Sequence, residues 1–377
     1  MKKYVVLFIL LLFPYFVNAE NLAANAKSAI MIEESTGKVL FENNADERRA
    51  PASMTKVMTL LLIMEYVESG KIKLTDKVMI SENASGMGGS QVFLETGTEM
   101  TVDELIKAIC IASGNDAAVA MAEFISGSEN NFVKLMNKKA KELGMTNTNY
   151  ENPHGLDSDN HYTSARDMAV VAKELVKHEK ILEYSSTYEE YLNKPDGTST
   201  WMVNTNKLIR YYSGLDGLKT GFTETAGYCL TATAIKNDMR LITVVMGEES
   251  SEVRNNETVE LLNYGFANYK KNIVLKESDN LGEIEINNAK KKLVKLKLIN
   301  DVVDLVSNHE DSKYDKKMNL KDVKAPIKIG DIVGTLDLYK DGKKVNSFDI
   351  TVSENVRKAN IWDYYKRNLK SILNGVI

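Results

Sequence analysis

Hydrophobic and polar positions change period several times along this chain, and each change predicts an element. The run Ala29-Ile30-Met31-Ile32, a turn at Thr36-Gly37 and the run Lys38-Val39-Leu40-Phe41 predict a hairpin over Ser28 to Asn43. Pro51-Ala52-Ser53 opens a long apolar-rich helix that runs through Leu60 to Tyr66 and ends near Gly70. Thr101 to Ile125 also reads as helix, broken at Ser113-Gly114-Asn115-Asp116. Asn130 to Leu143 and Ser164 to Lys177 are further helices, joined by the Asn-, Gly- and His-rich stretch Asn147 to His161. Strand character returns at Gly217 to Phe222, Ala226 to Ile235 and Met239 to Gly247, before a helix from Glu252 to Asn268. Strands at both ends with helices between them predict one sheet assembled from distant parts of the chain.

The pattern shifts near Tyr269. Gly282 to Ile286 and Leu293 to Leu298 alternate with lysines and glutamates, and Thr335 to Tyr339 and Val345 to Val352 flank the turn pair Asp341-Gly342. Residues 271–355 therefore read as a small all-β domain with no catalytic constellation. In the tail, 356–377, Ile361, Trp362, Tyr365, Leu369, Ile372, Leu373 and Val376 share one helical face. Arg357, Lys358, Lys366, Arg367 and Lys370 surround them, with Asp363 the lone acid of that stretch. An apolar stripe with a basic border predicts a helix lying on an anionic membrane surface.

The opposite terminus reads as a targeting segment. Lys2 and Lys3 precede an apolar run from Tyr4 to Val17, and Val17-Asn18-Ala19 closes it with a small residue. That is the form of a secretory signal peptide cleaved after Ala19, and the run is short for a membrane span. Residues 20–270 would then be the main domain, working outside the cytoplasmic membrane. A length of 377 residues accommodates two domains, and a net charge of -4 gives no argument for nucleic acid as a partner. The two cysteines, Cys110 and Cys229, make no disulfide framework or metal signature, and whether they pair stays open.

Candidate chemistry begins at Ser53-Met54-Thr55-Lys56. Residues three apart on a helix share a face, so the Lys56 amine can approach the Ser53 hydroxyl. Serine needs a neighbouring base to act as a nucleophile, and lysine can be that base once burial or other cations lower its pKa. Alone, this spacing is common and weak; an N-capping serine with a solvated lysine explains it equally well. Ser113-Gly114-Asn115 adds a second hydroxyl and an amide at a helical break. Lys219-Thr220-Gly221 adds a cation and a hydroxyl on a strand, with a glycine that lets a substrate backbone lie close. In this order the three elements form a signature of penicillin-binding proteins and class A β-lactamases, with Gly114 standing where the usual middle element has Asp.

The chain resembles the low-molecular-mass penicillin-binding proteins, serine-type D-alanyl-D-alanine carboxypeptidases of peptidase family S11. The blocks carrying the resemblance are Ala52 to Lys56, Met87 to Gln91, Ala112 to Ala117, Asn152 to Leu156 and Asp216 to Gly221, within about Ala26 to Tyr269. The resemblance implies an α+β, β-lactamase-like transpeptidase domain: an antiparallel sheet with helices on both faces and a helical subdomain. A small all-β domain and a C-terminal amphipathic helix would follow. It implies that Ser53 attacks the carbonyl between two terminal D-alanines of peptidoglycan stem pentapeptides, forming an acyl-enzyme, and that β-lactams trap the same serine. Lys56 would be the base, Ser113 with Lys219 would relay the proton, and Asn115 would steady Lys56 and the substrate amide. The backbone N–H groups of Ser53 and Phe222 would form an oxyanion hole, beside Gly221. Thr220 and Arg254 would hold the free carboxylate.

No cofactor or metal is implied, and His154, His161, His178 and His309 lack HExxH spacing. His154 reads as a loop-fixing hydrogen bonder, and Gly86 to Gly89 as a flexible segment bordering the cleft. A β-lactamase is the nearest alternative, but no Glu-x-x-Leu-Asn block lies between Asn115 and Lys219. A D,D-endopeptidase would use the same residues, and a non-catalytic wall-binding protein would have no need to keep them.

Overall fold

The computed structural model describes residues 22–308 and 313–373. The proposed signal peptide therefore lies outside the described residues. The chain parts between Ala267 and Asn268 into two compact units.

The first unit contains strands β1 (Ser28–Glu33), β2 (Val39–Asn43), β3 (Lys77–Met79), β4 (Glu99–Thr101), β5 (Glu189–Asn193), β6 (Ser199–Val203), β7 (Leu215–Thr223), β8 (Gly227–Lys236) and β9 (Met239–Glu248). Its helices are α1 (Lys56–Glu68), α2 (Glu82–Ser85), α3 (Val102–Ile111), α4 (Asn115–Ser126), α5 (Glu129–Glu142), α6 (Ala165–Leu175), α7 (Lys180–Ser185), α8 (Leu208–Tyr211) and α9 (Ser251–Asn268). The main sheet runs β2-β1-β9-β8-β7, antiparallel throughout, so the N-terminal hairpin joins strands two hundred residues further on as expected. Every residue of β1 is buried because both faces of the sheet are covered. Ile30 and Ile32 join the cluster that contains α1 and α6. Met31 and Leu241 point to the opposite face, where a Cβ on Gly265 of α9 would meet them at 2.9 and 2.5 Å.

Nine consecutive residues of α1, Lys56 to Met64, are buried, which makes it a central helix rather than a surface one. A 3₁₀ turn at Ala52–Thr55 precedes it, so the α-helix starts at Lys56 instead of at Ser53. The helical break at Ser113 is present, between α3 and α4. Two short antiparallel pairs, β3 with β4 and the hairpin β5–β6, were not legible in the pattern. Cys110 and Cys229 are buried free thiols, each a small hydrophobe in the core.

The second unit holds β10 (Tyr269–Leu275), β11 (Glu283–Glu285), β12 (Leu293–Leu298), β13 (Val302–Ser307), β14 (Asp315–Leu320), β15 (Gly334–Lys340), β16 (Lys343–Val352) and helix α10 (Ile361–Leu373). Its larger sheet runs β11-β12-β16-β15-β14. Asp341 and Gly342 both take positive φ, 50° and 74°, in the two-residue turn between β15 and β16. The tail helix begins at Ile361, five residues later than the apolar pattern suggests. Val356 is held in extended form by paired bonds with Ile327, at 2.8 and 3.0 Å. Asn360 then caps the helix: its side chain accepts from Asp363 N, and its own N–H donates to the Asp363 carboxylate.

Candidate active site

The nucleophile candidate is placed by a strained turn. Ala52 has φ +47°, and Gly155, with φ +93°, lies so close that a Cβ on it would sit 1.8 Å from Ala52 O and 2.9 Å from Ser53 N. Only a glycine permits that approach. Asn152 shapes the same loop, its Oδ1 accepting from His154 N at 3.2 Å and Gly155 N at 2.6 Å. The Asn152 to Leu156 block is thus the clamp on the Ser53 turn. His154 fixes this loop, its Nδ1 accepting from Leu156 N at 3.2 Å.

Lys56 is fully buried and has three partners: Ser53 Oγ at 3.0 Å, Asn115 Oδ1 at 2.6 Å and His154 O at 2.7 Å. Burial, and then the charge of Lys219, drive its pKa well below the ordinary value against the opposing pull of Asp116. Asn115 is oriented by its other end, where Nδ2 donates to Gly88 O at 2.7 Å. Its N–H also reaches Ser90 O at 2.7 Å, so one side-chain and one backbone bond of Asn115 hold Gly88 and Ser90. The adjacent Asp116, wholly buried, accepts from Val92 N and Leu94 N and shapes the loop that follows.

Ser113 takes φ +63°, an uncommon conformation for a residue with a side chain. Its hydroxyl makes no hydrogen bond among the described residues. Lys219 Nζ donates to Thr220 O at 3.1 Å and to Thr205 Oγ1 at 3.4 Å, and among the described residues it makes no hydrogen bond to Ser113. Thr205, which no sequence pattern singled out, also accepts from Thr220 Oγ1 at 2.7 Å. Burial, aided by Arg254, lowers the Lys219 pKa to about 7.

Gly221 has a different reason from the one its motif suggested. A Cβ there would meet Pro51 O at 2.8 Å and Ala52 Cβ at 3.1 Å, so the glycine admits the protein's own Ser53 turn rather than a substrate backbone. Phe222 is half exposed and stacks on Tyr228 with ring centroids 4.3 Å apart. Arg254, in the first turns of α9, is buried, and among the described residues its guanidinium donates only to Asn255 Oδ1, at 3.1 and 2.8 Å. No carboxylate among the described residues pairs with it, and burial lowers its pKa to about 10.

A serine on a strained turn, a buried lysine against it, and a Lys-Thr-Gly edge strand define an active-site-serine acyl-transfer enzyme of the penicillin-binding class. The chain belongs to peptidase family S11: residues 16–250 match the family described as D-alanyl-D-alanine carboxypeptidase. Residues 269–358 match the C-terminal domain of penicillin-binding protein 5. The chain is 49% identical to D-alanyl-D-alanine carboxypeptidase DacF of Bacillus subtilis (strain 168), over 93% of this chain and 90% of that one. It is 36% identical to DacA of Escherichia coli (strain K12), over 91% and 87%. Among solved structures, penicillin binding protein 5 from Haemophilus influenzae superposes with TM-score 0.73 at 34% identity, covering 89% of this chain and 98% of that one.

Proposed function

We propose that the protein is a serine-type D-alanyl-D-alanine carboxypeptidase that removes the terminal D-alanine from peptidoglycan stem pentapeptides through an ester on Ser53. The observation that carries this reading is the set of partners around Lys56. Asn115 Oδ1 and His154 O can only accept, so each takes one N–H of Lys56, and burial favours the neutral amine, which has two. The nitrogen lone pair is left facing the Ser53 hydroxyl.

In the forward step Lys56 Nζ takes the Ser53 proton as Oγ adds to the penultimate carbonyl. The bond to the departing nitrogen breaks as that nitrogen receives a proton from the Lys56 side, with the Ser113 hydroxyl and Lys219 bordering its path. Water then adds to the ester by the same base, releasing the shortened peptide and restoring Ser53. The negative oxygen of each tetrahedral state faces the N–H groups of Ser53 and Phe222. The second of these lies on β7, whose sheet-edge position leaves alternate N–H groups free of ladder bonds. Thr220 and the unpaired Arg254 bind the terminal carboxylate. A β-lactam presents the same carbonyl and carboxylate, and its ester on Ser53 hydrolyses slowly. Release of free D-alanine from a soluble pentapeptide, lost in Ser53→Ala, tests the reading; cleavage of cross-linked dimers without that release would make the enzyme an endopeptidase.

The site is proposed to work outside the cytoplasmic membrane, with residues 1–19 removed on export and the tail resting on the lipid surface. Support comes from α10. Tyr364 Oη donates to Asn288 and Arg367 Nη2 to Ala289 O, so its polar side meets the β unit. Ile361, Trp362, Tyr365 and Ile372 stay exposed on the other. No helix among the described residues is long and apolar enough to cross a membrane. Truncation before Val356 should abolish sedimentation with anionic vesicles; undiminished sedimentation would exclude this role for the tail.

A further inference from the structure

The hairpin of β5 and β6 has two unlike faces. Leu192 and Met202 are buried on one, which fixes the hairpin to the body of the unit. On the other, Tyr191 lies directly opposite Trp201, and the rings are 64% and 58% exposed. Burial of the first face already satisfies the fold, so this aromatic pair contributes little to it. Around the pair stand Glu189, opposite Val203, and Asn193, opposite Ser199, with Ser199 Oγ donating to Asn193 Oδ1 at 2.7 Å. The strand positions that share this face include no Lys or Arg; at its edge Arg210 lies over the Tyr188 ring and feels the charge of Glu189.

The hairpin is held rigidly. Lys107 of α3 pairs with Glu190 at 2.7 Å, and Asn204 Nδ2 donates to Ser185 O and Thr187 O at 3.1 and 2.9 Å. It is also continuous with the active site, because β6 leads within two residues to Thr205, which bonds Lys219 and Thr220. Four Cα steps separate Trp201 from Thr205, so the two lie no more than about 15 Å apart. An extended pentapeptide spans about 17 Å, enough to connect them.

We propose that the Tyr191–Trp201 face is a docking platform for the saccharide chain that carries the stem peptide, that is, for a run of β-linked N-acetylated hexopyranoses. Pyranose rings with equatorial substituents expose C–H faces that stack on aromatic rings, and Trp and Tyr offer such area at low entropy cost. Their hydroxyl and acetamido groups suit the amide, hydroxyl and carboxylate of Asn193, Ser199 and Glu189. The one charged strand position on the face is acidic, Glu189, which disfavours an anionic lipid or polyanion as the occupant. This inference rests on the carboxypeptidase reading for the identity of the chain that reaches the platform.

Two measurements test it. In a Ser53→Ala, Trp362→Phe protein, Trp201 is the remaining tryptophan, and titration with N-acetylglucosamine hexamer should change its emission saturably. In the active enzyme, Tyr191→Ala with Trp201→Ala should raise KM for a disaccharide-linked pentapeptide by roughly tenfold. The free pentapeptide should keep its kcat and KM, and Trp201→Tyr should recover most of the loss. Unchanged emission overturns the platform, as does equal loss on both substrates; the first result would leave a protein partner as the occupant. Saturable emission with no D-alanine released from either substrate would support the platform and overturn the carboxypeptidase reading instead.

Discussion

Lys56 Nζ lies 3.0 Å from Ser53 Oγ while its remaining contacts, Asn115 Oδ1 and His154 O, are both pure acceptors. A charged ammonium would satisfy the same geometry by donating three bonds, so the buried environment decides the protonation state. Burial and the neighbouring Lys219 both favour the neutral amine.

That relationship gives the enzyme a pH profile. Free enzyme reacts when Lys56 is neutral and Lys219 is charged. In kcat/KM for a pentapeptide, the rising limb follows Lys56 losing its proton, and the falling limb follows Lys219 losing its own near pH 7. Lys219→Arg keeps the positive charge, and it should retain the rising limb while losing the falling one. A falling limb that persists in this variant would belong to another group.

Gly155→Ala should disable the protein through backbone alone. The new methyl would lie 1.8 Å from Ala52 O at a position with φ +93°, and the cost is about 3 kcal/mol or more. We expect a lower thermal midpoint together with loss of acylation by a fluorescent penicillin. Normal labelling would mean that the Ser53 turn does not depend on this loop.

Arg254→Ala should weaken carboxylate recognition, lowering kcat/KM roughly 10- to 100-fold. Comparison with a C-terminally amidated peptide separates recognition from folding. Wild type should discriminate strongly against the amide, and the variant hardly at all. Equal discrimination by both proteins would leave Thr220 as the carboxylate site without Arg254.

Another buried ionisable group acts on stability rather than catalysis. Glu248 and Glu257 face one another; Glu257 accepts from Asn25 N and Nδ2 at 2.8 and 2.7 Å and from Ala26 N at 3.1 Å. Glu248 has no donor of its own among the described residues, and burial with the facing Glu257 raises its pKa from 4.5 to about 8. Between those values the folded protein binds a proton that the unfolded chain has lost, so this pair's contribution to stability falls as pH rises. Glu248→Gln supplies the N–H donor permanently. Its thermal midpoint should match wild type near pH 4.5 and exceed it above about pH 8. A constant difference at all pH values would show that Glu248 does not titrate in this window.

The amino-acid pattern carried the main strands, the long helices and the order of the three chemical elements, because each rests on local periodicity or spacing. It carried less where contacts are long-range. Thr205 has no motif, and its role follows only from meeting Lys219 and Thr220 after the chain has passed through α8. Gly155 sits in a recognisable block, yet its reason is an approach to Ala52 more than a hundred residues earlier in the chain. Gly221 was read as room for substrate, whereas Pro51 O and the Ala52 methyl fill that room. The tail helix starts late because Val356 pairs with Ile327, a β contact that an apolar helical stripe conceals.

Intact-mass analysis after exposure to benzylpenicillin, followed by peptide mapping, tests the central claim most directly. One equivalent of penicilloyl adduct is expected on the peptide containing Ser53, absent from Ser53→Ala and sharply reduced in Lys56→Ala. An adduct on any other residue, or one that survives in Ser53→Ala, would contradict it.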